Sequence, residues 1–502
     1  MDEQKEVNFR FIHEMPLKVS SKDALILNKR LNAARNLYNA CLGHCLKSIK
    51  LIRESKDWQK AYILHKSSQK ADKKQSKILF KRAKEKYCYS EYQLHKVAKE
   101  IAQQCFINLH LDSLTIQKVA TRAYDASEKY YYGKRGRPRF KSFKRFNSIE
   151  GKNNASGLRF KDGHVIWNVK NGKKLALTPL YDLKDKHEVE SHALSCEIKY
   201  IRLVKSSIKG KFLWYVQLIL SGVPKQKEKN KHNVGEVGLD IGPSTIAIVS
   251  KKYAKLTSFC DGLKNCHEKI KKLNKKMDRS RRLNNPDNYN EDKTCKSGFK
   301  IWYHSNRYKK LKAQLATEYY KMEKTRKKLH GELINYLLSL GNVFKTEKLS
   351  YKSFQKNFGK SIGMRAPGKF IEKLYRKAAS ANGKVIEFST YNTKLSQSCH
   401  CGRPHNKKKL SERWHKCECG VIAQRDLYSA FLALYVKDNS LNTHQASLAW
   451  SVVEPLLGRA VLRLEEQASS ENSFASFGIN QRQSLSHAKE KLDQAKIKDV
   501  VG

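Results

Sequence analysis

Three acidic side chains stand in contexts that suit metal chemistry, spread over the C-terminal half of this 502-residue chain. Asp240 lies in EVGLDIGPSTIAIVS, Glu347 in NVFKTEKLS and Asp426 in QRDLYSAFLALY. The first two end apolar, β-branched runs that predict buried strands, and the third opens a run with helical spacing. Because strand ends and a helix start can meet at one point of a folded domain, we expect the three carboxylates to converge. Converging carboxylates suit two Mg²⁺ ions, an arrangement that hydrolyses phosphodiester bonds.

Taken one at a time, the three acids have ordinary explanations. An aspartate ahead of a glycine often marks a turn, and a glutamate at a strand end is often a solvated charge. An aspartate in the first turn of a helix is favoured by the helix dipole. The prediction of a magnesium site therefore rests on the three residues together, in this order, in a strongly basic chain.

A second candidate metal site lies between the second and third acids, in the segment SQSCHCGRPHNKKKLSERWHKCECG. Two Cys-x-Cys-Gly units supply four thiols, from Cys399, Cys401, Cys417 and Cys419. Four thiolates on two turns suit one tetrahedral Zn²⁺, and a site closed by four protein ligands is structural. Cys-x-Cys is shorter than the usual Cys-x-x-Cys, so the sequence leaves open that a histidine replaces one cysteine. The candidates for that replacement are His400, His405 and His415.

The charge balance points to a polyanionic partner. The chain carries 101 Lys and Arg against 47 Asp and Glu, a net charge of +54. The excess runs through nearly every segment, which favours nucleic acid over an ordinary solvated surface. No apolar run is long enough to span a bilayer, so no membrane partner is predicted.

The cysteine usage and the N-terminal residues favour a reducing compartment. Twelve cysteines in a chain of this length are not a disulfide framework. The segment MDEQKEVNFRF has no apolar signal core. We therefore expect a cytoplasmic, nucleoid-associated protein of a prokaryote.

One stretch of the N-terminal half alternates basic and aromatic residues in the way that suits contact with a nucleic-acid backbone and stacking on bases. The predicted nucleic-acid contacts are Arg135, Arg137, Arg139, Phe140 and Lys141. The competing interpretation is a strand in which core phenylalanines alternate with surface arginines.

The motifs of the C-terminal half resemble those of TnpB proteins, transposon-encoded RNA-guided nucleases that are related to compact type V CRISPR effectors. The matching segments, in family order, are GLDIGPSTIA, TEKLSYKSF, GKSIGMRAPGKF, TKLSQSCHCG, RWHKCECG and QRDLYSAFLA. The resemblance covers most of residues 234–436 and implies an RNase H-type (RuvC-like) nuclease fold with a zinc ribbon inserted in it. It also implies that Asp240, Glu347 and Asp426 are the catalytic carboxylates. The Cys-x-Cys units and a long C-terminal extension depart from the family pattern.

The fold class expected from residues and resemblance together is multidomain, α/β and β. A β-barrel-like wedge domain with an α-helical recognition insertion precedes the nuclease domain. The expected domains are 1–21 (wedge, first part), 22–131 (helical recognition), 132–230 (wedge, second part), 231–394 (RuvC-like, first part), 395–422 (zinc ribbon), 423–440 (RuvC-like, last part) and 441–502 (C-terminal extension, partly disordered).

The expected function is that of an Mg²⁺-dependent, RNA-guided DNA endonuclease, associated with a transposon. The resemblance implies a guide RNA that pairs with target DNA, double-stranded or single-stranded, and cleavage next to a short flanking motif. A nuclease-inactive RNA-guided repressor, a guide-independent zinc protein that binds nucleic acid and a transposase or its accessory are the alternatives. Loss of a carboxylate would favour the first alternative, and all three carboxylates are present.

Overall fold

The computed structural model describes residues 9–169, 174–208, 211–228, 230–409, 411–468 and 477. The chain divides into two compact units, Met1–Lys225 and Gln226–Gly502. One hydrophobic core lies within the first unit, and two more lie within the second.

A strand followed by a run of helices opens the first unit. The elements are β1 (Arg10–Lys18), α1 (Ser21–Glu54), α2 (Lys56–His65), α3 (Lys70–Lys86), α4 (Glu91–Gln104) and α5 (Ser113–Tyr131). Four of the helices begin after a residue whose side chain accepts a backbone N–H of the first turn, namely Ser20, Ser55, Ser90 and Asp112. These caps fix where the helices start within the basic segment that was predicted to be helical.

Six more strands of the first unit join β1 in one sheet. They are β2 (Ser148–Glu150), β3 (Leu158–Lys161), β4 (His164–Trp167), β5 (Leu175–Pro179), β6 (Ile198–Ile208) and β7 (Lys211–Ser221), with helix α6 (Val189–Ser195) between β5 and β6. The strand order is β2-β6-β7-β1-β5-β4-β3, and β3 also contacts β6, so the sheet is nearly closed like a barrel. Because β1 pairs with both β7 and β5, helices α1 to α5 are an insertion in the β-structure, as the sequence suggested.

A buried arginine joins the helices of the first unit to its sheet. The Arg30 guanidinium donates a hydrogen bond of 3.0 Å to the Trp167 carbonyl and lies 4.5 Å from the centre of that indole. The indole N–H donates in turn to Asp112, the cap of α5, at 2.9 Å. Burial lowers the pKa of Arg30 to about 10, and the nearby Asp112 partly offsets that shift.

The second unit is built on a five-stranded sheet. Its strands are β8 (Glu236–Ile241), β9 (Thr245–Ser250), β10 (Tyr253–Ser258), β11 (Val343–Glu347) and β12 (Lys384–Phe388), in the order β10-β9-β8-β11-β12. The pairs β10–β9 and β9–β8 are antiparallel, whereas β8–β11 and β11–β12 are parallel. Two short hairpins follow, β13 (Trp414–Lys416) with β14 (Ile422–Gln424) and β15 (Val436–Lys437) with β16 (Ser440–Leu441).

Helices cover both faces of this sheet. They are α7 (Lys264–Leu283), α8 (Asn306–Leu340), α9 (Tyr351–Arg365), α10 (Pro367–Ser380), α11 (Thr390–Thr393), α12 (Arg425–Leu434) and α13 (Thr443–Ala468). Val237, Leu239 and Ile241 pack in the core that contains residues of α8 and α10. Ala247 and Val249 pack in the other core, with α12 and α13. Alternate residues of the strands therefore face different helix layers.

The two long helices α7 and α8 lie between β10 and β11 in the sequence, and α9 follows β11. In the C-terminal extension, α13 is present, and the rest of the predicted mobile tail lies outside the described residues apart from Phe477. No helix in the part of the chain that the structure describes is long and apolar enough to cross a bilayer.

Candidate metal centres and nucleic-acid surface

The ends of two adjacent parallel strands carry the first two carboxylates. In the pairing of β8 with β11, Leu239 stands opposite Thr346. One residue further along each strand, Asp240 and Glu347 therefore stand at the same level and on the same face of the sheet. Both residues are half-buried and so keep some contact with solvent.

Helix α12 brings the third carboxylate to that face. Gly238 is two residues before Asp240 and faces the same way, and a Cβ atom at Gly238 would lie 2.0 Å from the Ala430 carbonyl oxygen. The backbone of α12 therefore packs directly on β8. Asp426 lies one helical turn before Ala430, on the side of α12 that faces the sheet. The sequence analysis did not identify Gly238, although its position two residues before the acid in EVGLDIG was the available signal.

The three carboxylates interact electrostatically. Burial raises the pKa of Asp240 well above its usual range, the charges of Asp426 and Glu347 raise it further, and Arg425 opposes the shift. Burial also raises the pKa of Glu347 to about 7. Acids that resist ionisation because they are close together and partly dry are relieved by a bound divalent cation.

The spacing of the carboxylates differs from that of a single-ion site. Among the described residues, only sets drawn from the cysteine region bring three ligand atoms within 4.8 Å of one another. The three carboxylates are therefore spread more widely than the ligands of one ion. Such a spread is compatible with two ions held about 4 Å apart.

Two arginines contact the Asp426 carboxylate. Arg425 donates to Asp426 Oδ1 from two nitrogens at 3.2 Å, and an Arg413 nitrogen lies 3.8 Å from Asp426 Oδ2. Arg425 also donates to the Glu412 carbonyl at 2.8 Å, and its backbone N–H donates to the Arg413 carbonyl at 2.8 Å. The guanidinium of Arg425 thus ties the third carboxylate to the chain just before β13.

The four predicted cysteines come together. The Sγ atoms of Cys399 and Cys419 are 3.6 Å apart, and those of Cys401 and Cys417 are 3.7 Å apart. All four ligand atoms lie within 4.8 Å of one another. Four sulfurs around a tetrahedral zinc, at Zn–S bonds of ~2.3 Å, would be separated by ~3.8 Å, so the spacing matches zinc and is too long for a disulfide.

The two cysteine turns have the same backbone geometry. Cys399 N–H donates to the Arg403 carbonyl and Gly402 N–H to the Cys399 carbonyl, at 3.2 and 3.0 Å. Cys417 and Gly420 repeat the pattern with bonds of 3.0 Å each. Both glycines have positive φ, 87° and 90°, which explains why glycine follows each Cys-x-Cys.

The three histidines that could replace a cysteine differ in their distance from the cysteine sulfurs. His405 and His415 each lie within 4.8 Å of Cys399 as possible ligands, and neither ring Nε2 has a hydrogen-bond partner among the described residues. His400 belongs to neither ligand set in this region, because its Nδ1 is 2.9 Å from the Tyr428 hydroxyl and its ring stacks on Trp450. The structure is therefore compatible with two sets of metal ligands: the four cysteines, or a set that includes His405 or His415.

Tyr428 connects the cysteine region to the helix of the third carboxylate. It lies on α12, two residues after Asp426, and its buried hydroxyl is 3.2 Å from Cys399 Sγ. The same hydroxyl accepts the His400 backbone N–H at 3.0 Å. The sequence analysis did not identify this residue, because nothing in QRDLYSAF shows where a tyrosine hydroxyl ends.

The basic aromatic stretch is an irregular segment and not a strand. Arg135, Arg137, Arg139 and Phe140 are exposed, and Lys141 is half-buried. The Asn39 side chain on α1 holds the backbone of Lys141 through two hydrogen bonds of 2.7 and 2.9 Å. The arginines therefore stand along the helical module, available to a polyanion, whereas Phe146, further along the stretch, is buried in the core.

One segment of the second unit matches a known family model. A family model described as Cas12f1-like, TNB domain, matches residues 368–432, from α10 through both cysteine turns to α12. In that segment the chain is similar to the TNB domain of Cas12f1-like proteins. The matched segment includes the four cysteines and Asp426, whereas Asp240 and Glu347 lie outside it.

Two solved structures resemble the chain distantly. A cryo-EM structure of a Cas12f1–sgRNA–target DNA complex is 14% identical, with a TM-score of 0.44, and the match covers 85% of this chain and 98% of that one. A cryo-EM structure of a CRISPR–Cas12f ternary complex is 16% identical, with a TM-score of 0.27 and coverage of 84% and 82%. No curated protein matched the chain.

Proposed function

We propose that this protein is an RNA-guided DNA endonuclease that hydrolyses phosphodiester bonds with two Mg²⁺ ions. The observation that carries the proposal is the placement of Asp240 and Glu347 at the same level on adjacent parallel strands, with Asp426 brought to the same face by α12. The raised pKa of Asp240, caused first by burial and then by the other two carboxylates, supports a site that is completed by cations.

An RNase H-like assignment of the second unit accords with its sheet. Three antiparallel strands continue into two parallel ones, with helices on both faces. The residues from β8 to α12 then form the RuvC-like nuclease region, and the segment with the four cysteines is an insertion in it. In the first unit, the nearly closed sheet corresponds to the wedge domain and α1 to α5 to the recognition module.

The residues proposed to hold the magnesium ions are Asp240, Glu347 and Asp426. When bound, two Mg²⁺ ions supply an activated water and stabilise the leaving oxygen. The protein's own part is to hold three acceptors in a fixed position, which the strand pairing and the close packing of Gly238 on α12 achieve. Arg425 and Arg413 contact the Asp426 carboxylate, and positive charges beside the proposed metal site would favour the binding of a phosphate.

The four cysteines are proposed to bind one Zn²⁺ with a structural role. Thiolates are suitable donors for zinc, and four of them leave no open position for chemistry. The contact of Tyr428 with Cys399 makes this metal a support for α12.

A guide RNA and target DNA are the proposed partners, and the TnpB resemblance extends the proposal to a transposon-encoded protein that reads a short flanking motif. The net charge of +54 supports a large polyanionic partner. Sequence would be read by base pairing, while the protein contacts backbones. The predicted contacts Arg135, Arg137, Arg139, Phe140 and Lys141 are proposed to face this nucleic acid.

The test is purification through a high-salt wash, sequencing of the RNA that is retained, and incubation with matched and mismatched DNA duplexes. We expect one structured RNA and cleavage of matched DNA alone, dependent on Mg²⁺. Asp240→Ala, Glu347→Ala or Asp426→Ala should each abolish cleavage and keep DNA binding. Exposed Glu372→Ala on α10 is the matched control and should cleave normally.

The outcomes separate the alternatives. Guided binding without cleavage by the unaltered chain would show a nuclease-inactive repressor. Binding of any RNA or DNA with loss at high salt would show a guide-independent binder. Equal cleavage of both duplexes, or full activity of a carboxylate variant, would contradict the proposed mechanism.

A further inference from the structure

The connection between α7 and α8 forms a surface of its own, which we call the tip and define as residues 284–305. In the sequence it is separate from the residues proposed for catalysis and from the cysteine region. Three large apolar side chains of the tip are exposed to an unusual extent: Phe299 at 94%, Tyr303 at 68% and Ile301 at 61%. Exposed aromatic side chains in one short segment point to an interaction partner.

The backbone of the tip is held in place by buried polar contacts. The Asn285 side chain is buried and donates to the carbonyls of Arg281 and Tyr303, at 2.7 and 2.9 Å. It also accepts the Tyr303 backbone N–H at 2.7 Å. Asn288 donates to the Ile301 carbonyl at 2.8 Å. The segment that presents the exposed side chains is therefore fixed to the end of α7.

The inner side of the same segment packs against one cation and one aromatic ring. Trp302 lies under the Arg281 guanidinium at 5.2 Å, and its ring meets Tyr289 edge-on at 6.0 Å. Exposure alternates along residues 299–303: Phe299, Ile301 and Tyr303 are exposed, whereas Lys300 and Trp302 are half-buried. The backbone that carries the outer side chains is therefore held in place before binding, which lowers the entropic cost of binding.

The charge around the tip selects the class of partner. Residues 281–310 contain eight Lys or Arg and three Asp or Glu. Lys293 and Lys296 are exposed on the tip itself. An apolar protein surface would gain nothing from this excess, whereas a nucleic acid uses both features, phosphates on the lysines and bases on the rings. Paired bases keep their faces inside the duplex, so rings of this kind stack on unpaired bases.

We propose that the tip binds a single-stranded nucleic acid, with Phe299 and Tyr303 stacking on unpaired bases and Lys293 and Lys296 contacting its phosphates. Ile301 lies between the two rings along the chain and fills the space between neighbouring bases. This proposal concerns binding alone and does not depend on the three carboxylates, so either can fail without the other.

The first test is site-resolved crosslinking on the full-length protein. The probe is a single-stranded oligonucleotide of about 12 nucleotides with 5-iodouracil, a length within the range that one such surface covers. After irradiation and proteolysis, we expect the label on Phe299 or Tyr303. A label confined to other aromatic residues, such as the equally exposed Tyr391, would overturn the proposal.

The second test is the affinity of variants for the same strand and for a blunt duplex of the same sequence. Phe299→Ala and Tyr303→Ala should each weaken single-strand binding by between about 5-fold and about 150-fold, with duplex binding unchanged. Lys293→Ala should reduce the slope of log affinity against log salt by about one. Tyr391→Ala is the control and should change neither measurement.

The results that contradict the proposal are specific. Equal losses on strand and duplex would show a backbone contact and not base stacking. Unchanged binding by Phe299→Ala, with a change in sedimentation coefficient, would show that the tip contacts a second copy of the chain. Since Phe299 is almost fully exposed, an unchanged melting temperature should confirm that the variant folds.

Discussion

Removing one of the proposed catalytic carboxylates should make the metal-free protein more stable at alkaline pH. Burial raises the pKa of Glu347 to about 7, from an ordinary 4.5. Between these values the folded protein holds a proton that the unfolded chain has lost, so the free energy of unfolding falls as pH rises. The loss is complete above the folded pKa.

The magnitude follows from the shift. A difference from 4.5 to about 7 corresponds to ~3 kcal/mol at 1.36 kcal/mol per pKa unit. Because the side chain is only half-buried, solvent screening reduces this figure, and we expect about 1–2 kcal/mol. Glutamine has the shape of the protonated acid and has no such cost. Glu347→Gln should therefore be about 1–2 kcal/mol more stable than the unaltered protein at pH 8, with the difference vanishing near pH 4.

The assay is urea unfolding in the presence of a chelator, at several pH values, with circular dichroism as the signal. Glu372→Gln, at an exposed position of α10, is the control and should change stability by less than about 0.5 kcal/mol. Added Mg²⁺ should stabilise the unaltered protein more than Glu347→Gln, because the ion binds the folded carboxylates. A Gln variant that is less stable at pH 8 without metal would refute the reasoning, since it would mean that a partner holds Glu347 ionised.

Three further predictions concern the elements around the site. The unaltered protein should contain about one zinc ion per chain, and Cys417→Ser should contain less. Metal analysis that finds no zinc, or equal zinc in both proteins, would contradict the assignment. Gly238→Ala should destabilise the second unit and slow cleavage, because the added Cβ would lie 2.0 Å from a carbonyl oxygen of α12. Gly359→Ala is the control and should leave the melting temperature unchanged, since a Cβ there has nothing within 4 Å. Equal melting temperatures of the two variants would contradict this prediction. Tyr428→Phe should lower the free energy of unfolding by about 1–3 kcal/mol, since it leaves the buried His400 backbone N–H without its acceptor. An unchanged free energy of unfolding in urea would show that this hydroxyl does not support the cysteine turns.

Much of the second unit could be predicted from sequence because its signals are local. The apolar runs that end at Asp240 and Glu347 are strands β8 and β11, and Asp426 lies in the first turn of α12. Two Cys-x-Cys-Gly units in one short segment indicated a shared metal site, and the glycines have the positive φ that such turns require.

Other features depended on contacts between distant residues. The sequence shows that Gly238 precedes Asp240, but only the packed structure shows that a helix backbone lies against it. The role of Tyr428 depends on two hydrogen bonds to residues 28 and 29 positions away. The tip is held by bonds between the Asn285 side chain and the Tyr303 backbone, 18 positions away, and no periodicity of the sequence reveals such bonds.

The position of strand β9 in the sheet makes its backbone amides suitable for measuring hydrogen exchange. All six of its residues are buried, it is paired on both edges, and Ala247 stands opposite Asp240. Its amide hydrogens should therefore exchange with solvent only when the whole second unit unfolds. A ligand that binds only the folded unit slows that exchange by its own binding free energy. Deuterium uptake at β9 thus measures how much metal is bound, and the measurement requires neither a guide RNA nor a cleavable substrate.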